Sequence, residues 1–174
     1  IYAGFNLSGN KGPAGQPDLG GIDEGFSSYV RVLWNLQELP TDEAVCAWSD
    51  PGIPDLNKMT WSADNSFVKA MYYRIYFQVA LCNEFIRETE DGKLESRGFT
   101  DAQVSSIKQY RLEARFLRAL SYYHQLDLFG TGPFVDEDDQ PGSYFPPQIN
   151  SLDLFNYIEK ELLEIEPLIT PAKQ

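Results

Sequence analysis

Three side chains in the stretch RLEARFLRALSYYHQLDLFGTGPF, Arg111 to Phe134, are of types that could do chemistry. Glu113, His124 and Asp127 sit among leucines, phenylalanines and tyrosines, where carboxylates and an imidazole could serve acid–base catalysis or hold a metal. Wound as a helix at 100° per residue, Arg111, Arg115, Arg118, Ser121, Tyr122 and Gln125 share one face, and Leu112, Phe116, Ala119, Leu120 and Tyr123 lie opposite. The three candidates fall on the second, apolar side but do not converge. At the helical rise, Glu113 and Asp127 stand roughly 20 Å apart along the axis. His124 and Asp127 are i, i+3 neighbours and can pair, yet a His–Asp pair without a nucleophile is half a constellation. The expectation is therefore structural: the apolar side packs, and Glu113 meets Arg74 or a tyrosine.

Other motifs are weaker. DEDDQPG, Asp136 to Gly142, clusters acids but lacks the twelve-residue pattern of a calcium-binding hand, and reads as a solvated loop. GTGPF follows a helix instead of opening one and has no P-loop lysine. Asp42 and Glu43 are the nearest pair of carboxylates for glycoside hydrolysis, and adjacency along a loop is poor support for it. With two cysteines and one histidine, a four-ligand nitrogen and sulfur metal site is out of reach. Cys82 reads as a small buried hydrophobe, and a Cys46–Cys82 bridge stays open. No residue set calls for a cofactor or a metal.

The segment TDEAVCAWSDPGIPDLNKMTWSADN offers more. Trp48 and Trp61 bracket an irregular loop that carries Asp50, Asp55, Asn57 and Lys58. Flat aromatic rings beside amide and carboxylate groups suit sugars, because the ring covers C–H faces while polar groups bond hydroxyls. Trp48, Asp50 and Asn57 are the candidate ligand-binding residues. The competing reading makes the tryptophans plugs for the core; it is evenly matched for Trp48 and preferred for Trp61.

The elements that must position these residues are helical. Residues 6–21 are rich in Gly, Pro and Asn and read as loop. Phe26, Val30, Leu33 and Leu36 fit a helix from Asp23 that Pro40 stops. Asp64 or Asn65 caps a helix to about Glu88 that is apolar nearly all round, so it lies buried between layers. Thr100 and Gln103 have capping-box spacing, with Phe99 and Val104 as a hydrophobic staple, and that helix runs to Phe129 before Gly130. Asn150 or Ser151 opens a last helix with Leu154, Phe155, Ile158, Leu162 and Ile165 on one stripe. Little sequence remains for that stripe to pack against, which reads as truncation. The fold class is all-α: antiparallel hairpins resembling tetratricopeptide packing with long irregular loops, although no clean 34-residue period emerges.

In 174 residues with net charge −12, the basic residues are scattered, which disfavours nucleic acid as a partner. No stretch approaches the ~20 apolar residues of a membrane helix. The opening IYAGFN has no initiator methionine or signal peptide, as in a processed or truncated chain.

Four blocks resemble, in order, the SusD/RagB family of outer-membrane nutrient-binding lipoproteins. They are WSADNSFVKAMYYRIYFQVALCNEFI, YRLEARFLRALSYYHQLDLFGTGPFVDEDD, YFPPQI and DLFNYIEKELLEIEPLI. The resemblance implies a helical protein, lipid-anchored on the extracellular face of the outer membrane and not an enzyme. It would capture glycans, or in some members peptides, and deliver them to a TonB-dependent, SusC-like transporter. It also implies that residues 1–174 are the N-terminal helical part. The lipid anchor and the C-terminal ligand-binding part would then lie outside this chain. A tetratricopeptide-like adaptor that binds only protein is the alternative.

Overall fold

The computed structural model describes residues 1–8, 17–139, 142 and 145–171. Part of the expected loop over 6–21, and Gln140 and Pro141 of the acidic loop, therefore lie outside the described residues. The protein is all-α, with six α-helices among the described residues, and the chain divides into two compact units, Ile1–Phe77 and Gln78–Gln174.

In the first unit, a 3-10 turn at Tyr2–Phe5 precedes α1, Tyr29–Glu38. This helix starts later than its sequence suggests, because residues from Asp23 form a turn in which the Ser27 N–H donates to the Asp23 carbonyl. The later start changes the buried stripe to Tyr29, Val32, Asn35 and Leu39, leaving Val30 and Trp34 exposed. Helix α2, Ile53–Asn57, is a single short turn of helix inside the segment expected to be loop. It begins after Gly52, whose φ of 97° is left-handed and whose missing Cβ would come within 3.0 Å of the Asn65 amide. Asn65 joins two elements. Its Oδ1 accepts from the Phe67 N–H at 3.0 Å to cap α3, and its Nδ2 donates to the Gly52 carbonyl at 3.0 Å.

Helix α3, Ser66–Glu88, carries Arg74, which is almost completely buried. Its Nε donates to the Ser27 carbonyl at 2.5 Å, and its guanidinium forks onto Asp18 at 2.8 Å. Arg74 thus anchors the segment preceding α1. It is not the partner that the sequence suggested for Glu113.

The second unit holds the end of α3, then α4, Asp91–Ser96, then α5, Asp101–Phe129. The capping box on Thr100 and Gln103 is present with both of its hydrogen bonds. After α5, two-residue strands β1, Gly132–Pro133, and β2, Gln148–Ile149, pair antiparallel and lead into α6, Ser151–Ile165. Asn150 caps α6 through the Asp153 N–H at 2.9 Å. Helices α5 and α6 run antiparallel: Ser151 bonds Gly130, Glu161 bonds Arg115, and Thr170 bonds Gln109. The stripe of α6 therefore has its partner in α5. Leu154 and Ile158 join Val79, Ala119 and Tyr122 in one apolar core.

Burial on α5 departs from the sequence expectation, although Ala119 of the apolar side does reach the core. Arg118, Ser121, Tyr122 and Gln125 are buried, whereas Phe116 and Tyr123 are 42% and 51% exposed. The cause is the acids that neighbouring elements supply. Asp91 of α4 meets Arg111, Glu161 and Glu164 of α6 meet Arg115, and Glu137 and Glu161 meet Arg118. Burial of an arginine is costly alone and tolerable when its donors are taken by carboxylates. Glu137 belongs to the acidic loop, so that loop is not merely solvated. It is also pinned by Arg87, which donates to the Glu137 and Asp139 carbonyls at 2.8 and 2.9 Å.

Candidate ligand-binding cleft

A cleft of about 510 Å³ opens in the first unit, between the turn at Asp23–Phe26, helix α1 and the loop from Cys46 to Ile53. One chain of contacts shapes its wall. The Asp23 carboxylate accepts from the Gly25 N–H at 2.7 Å, and the Gly25 carbonyl accepts from Arg31 Nη1 at 2.8 Å. The Arg31 guanidinium carbon lies 5.7 Å from the centre of the Trp48 ring. Such a cation–π contact contributes about 0.5–1 kcal/mol at an exposed site, enough to bias the ring without burying it. Trp48 remains 62% exposed, so it is no core plug. A Cβ at Gly25 would come within 2.9 Å of the Asp23 carboxylate, which would have to shift to admit it. Phe26 and Phe67, with ring centres 4.6 Å apart, add an apolar side.

Of the three candidates named from sequence, Trp48 and Asp50 line this cleft and Asn57 does not. Asn57 instead donates its amide to the Cys46 carbonyl at 3.3 Å, bracing the loop that carries Trp48. Trp61, expected in the core, is 43% exposed, because it lies in the extended stretch ahead of α3. Asp42 and Glu43 are exposed and outside the cleft lining. Sequence reasoning missed Asp23, Arg31 and Asn35. The i, i+4 spacing of Arg31 and Asn35 was the available signal, hidden by the wrong start of α1.

The residues along α5 form no second site. Glu113 and His124 are half-buried and Asp127 is exposed. Burial pushes the His124 imidazole below its usual pKa, and the charge on Asp127 opposes that shift. Among the described residues no group of acids, histidines and cysteines could hold a metal ion. Both cysteines are free, and burial raises the Cys82 thiol to about 12, as suits an inert core residue. At Glu161 burial disfavours ionisation, but hydrogen bonds from Arg115 and Arg118 outweigh it and keep the carboxyl below its ordinary range. Those bonds tie the network into the fold.

Fold and cleft together define a class: a helical module whose first unit carries an open, aromatic-walled cleft. No family model matches the chain. It is, however, 39% identical over 166 residues to the starch-binding protein SusD of Bacteroides thetaiotaomicron, which covers 95% of this chain and 28% of that protein. A SusD-like protein P2 of Formosa agariphila is 27% identical over 82 residues, covering 47% of this chain and 15% of that protein. The chain belongs to the SusD/RagB family. It spans less than a third of the length of these relatives.

Proposed function

We propose that this chain is part of a cell-surface glycan-binding protein, and that Trp48 is the platform on which a sugar ring stacks. The observation that carries the reading is an exposed tryptophan held by Arg31 at the mouth of a cleft with polar groups at its rim. A sugar presents C–H faces and hydroxyls together, and the ring and the rim answer both. Asp23 and Asp50, which line the cleft, would accept hydroxyl hydrogen bonds, while Asn57 braces the loop through the Cys46 carbonyl. The name of the starch-binding relative makes starch the first ligand to try.

In this reading the full-length protein is a lipoprotein on the extracellular face of the outer membrane, passing its ligand to a SusC-like, TonB-dependent transporter. Consistent with a membrane attachment outside these helices, none of the described helices is long and apolar enough to cross a membrane. The outward aromatic residues of α5, Phe116 and Tyr123, favour a protein partner as a second ligand class.

The test is isothermal titration of the full-length protein against a panel of polysaccharides, with Trp48→Ala as the control. Binding of at least one glycan, lost in Trp48→Ala, is expected. Binding of peptides and of no glycan would overturn the assignment.

A further inference from the structure

One helical residue that lines the cleft stands out for what it does not bond. Asn35 is 7% exposed and sits in the buried stripe of α1 between Val32 and Leu39, a place where an apolar side chain would pack. It lines the cleft one turn beyond Arg31. Its backbone carbonyl accepts from the Leu39 N–H, but among the described residues no protein group hydrogen-bonds its side-chain amide. Asn65, buried to the same degree, has both ends of its amide bonded within the protein. Nor does Asn35 brace its surroundings, as Asn57 does.

An amide that lines the cleft and bonds no protein group adds nothing to the packing of the stripe, where a leucine would suit the core better. We infer that Asn35 is a specificity-determining residue, whose open amide binds a hydroxyl group of a sugar seated against Trp48. An amide offers a donor and an acceptor side by side, and a pair of vicinal hydroxyls offers the complement. A site built to hydrogen-bond a hydroxyl rejects the analogue that lacks it, since the buried amide is then left unpaired. Trp48 would supply affinity for any pyranose face, and Asn35 would distinguish one arrangement of hydroxyls from another. The inference rests on the glycan reading above and adds a residue and a role to it.

The test uses the full-length protein and maltoheptaose, a soluble starch fragment, with binding read by calorimetry and unfolding by thermal melts. Asn35→Leu should weaken binding by tenfold or more while the unfolding temperature stays level or rises. A bracing role would give the reverse, a lower unfolding temperature. A series of monodeoxy maltoheptaose analogues against the unaltered protein gives a second readout that requires no variant. One deoxy position should lose a similar factor, and that loss should vanish in Asn35→Leu. Unchanged affinity in Asn35→Leu, equal binding of every deoxy analogue, or a drop in unfolding temperature would each overturn the inference. If the unaltered protein binds maltoheptaose and Trp48→Ala does not, such a result removes the role of Asn35 alone. Failure of the unaltered protein to bind any glycan removes the glycan reading and this inference with it.

Discussion

Arg118 and Asn35 are both polar and both more than nine-tenths buried, yet they are treated in opposite ways. Arg118 donates to Asn83 at 2.8 Å and to Glu161 at 2.9 Å, pairs with Glu137, and lies 5.8 Å from the Tyr157 ring centre. Asn35 faces a cleft, and its amide is left for whatever enters. A buried group bonded to several neighbours holds the fold together. A polar group that lines a cleft and has no protein partner is a candidate for recognition. Apparent chemistry in the sequence is therefore a poor guide until partners are counted: three arginines in a row on α5 are scaffold, and one quiet asparagine on α1 is the better candidate for recognition.

The sharpest way to break this contrast is to remove Arg118. Arg118→Ala leaves Glu161 and Glu137 short of a counter-charge, and is expected to cost about 3–5 kcal/mol in denaturant unfolding. A loss below about 1 kcal/mol would mean that the network is dispensable. Trp48→Ala is expected to act the other way round, reducing glycan affinity by tenfold or more with little change in unfolding temperature, since the ring is mostly exposed. A smaller effect is expected at Gln125, which is fully buried with neither end of its amide bonded among the described residues. Unlike Asn35, it is completely buried, so Gln125→Met should stabilise the protein by roughly 1 kcal/mol. Stability lost in that variant would reveal an internal partner.

Acid gives the mildest test. The Glu161 carboxyl is held below its usual value of 4.5 in the fold, so its contribution is present above that pH and lost as pH falls through the lower folded value. Denaturant midpoints measured down this range should fall more steeply for the unaltered protein than for Glu161→Gln. Parallel curves would detach the pH dependence from this pair.

Local signals were legible in the sequence and long-range ones were not. The Thr100–Gln103 capping box, the Asn150 cap and the end of α5 at Gly130 depend on residues within a few positions, and each could be read directly. The orientation of α5 depends on Glu137 and Glu161, acids that reach it only through folding, so its apolar stripe pointed the wrong way. Likewise the turn at Asp23 delayed α1, so the stripe expected through Phe26, Val30, Leu33 and Leu36 left Asn35 outside it. Trp48 and Asp50 could be picked from loop chemistry alone, whereas Arg31 needed the turn that brings Gly25 beneath it.

Trp34, Trp48 and Trp61 are the only tryptophans, and all three fall within Ile1–Phe77. Indole emission is thus a private signal of the unit that carries the cleft, while the tyrosines and the helical circular dichroism are shared with Gln78–Gln174. Melting followed by both probes would separate the two units without any label. A helical transition that leaves the indole spectrum unmoved would belong to the second unit alone, and a ligand that shifts only the indole transition would have declared where it binds.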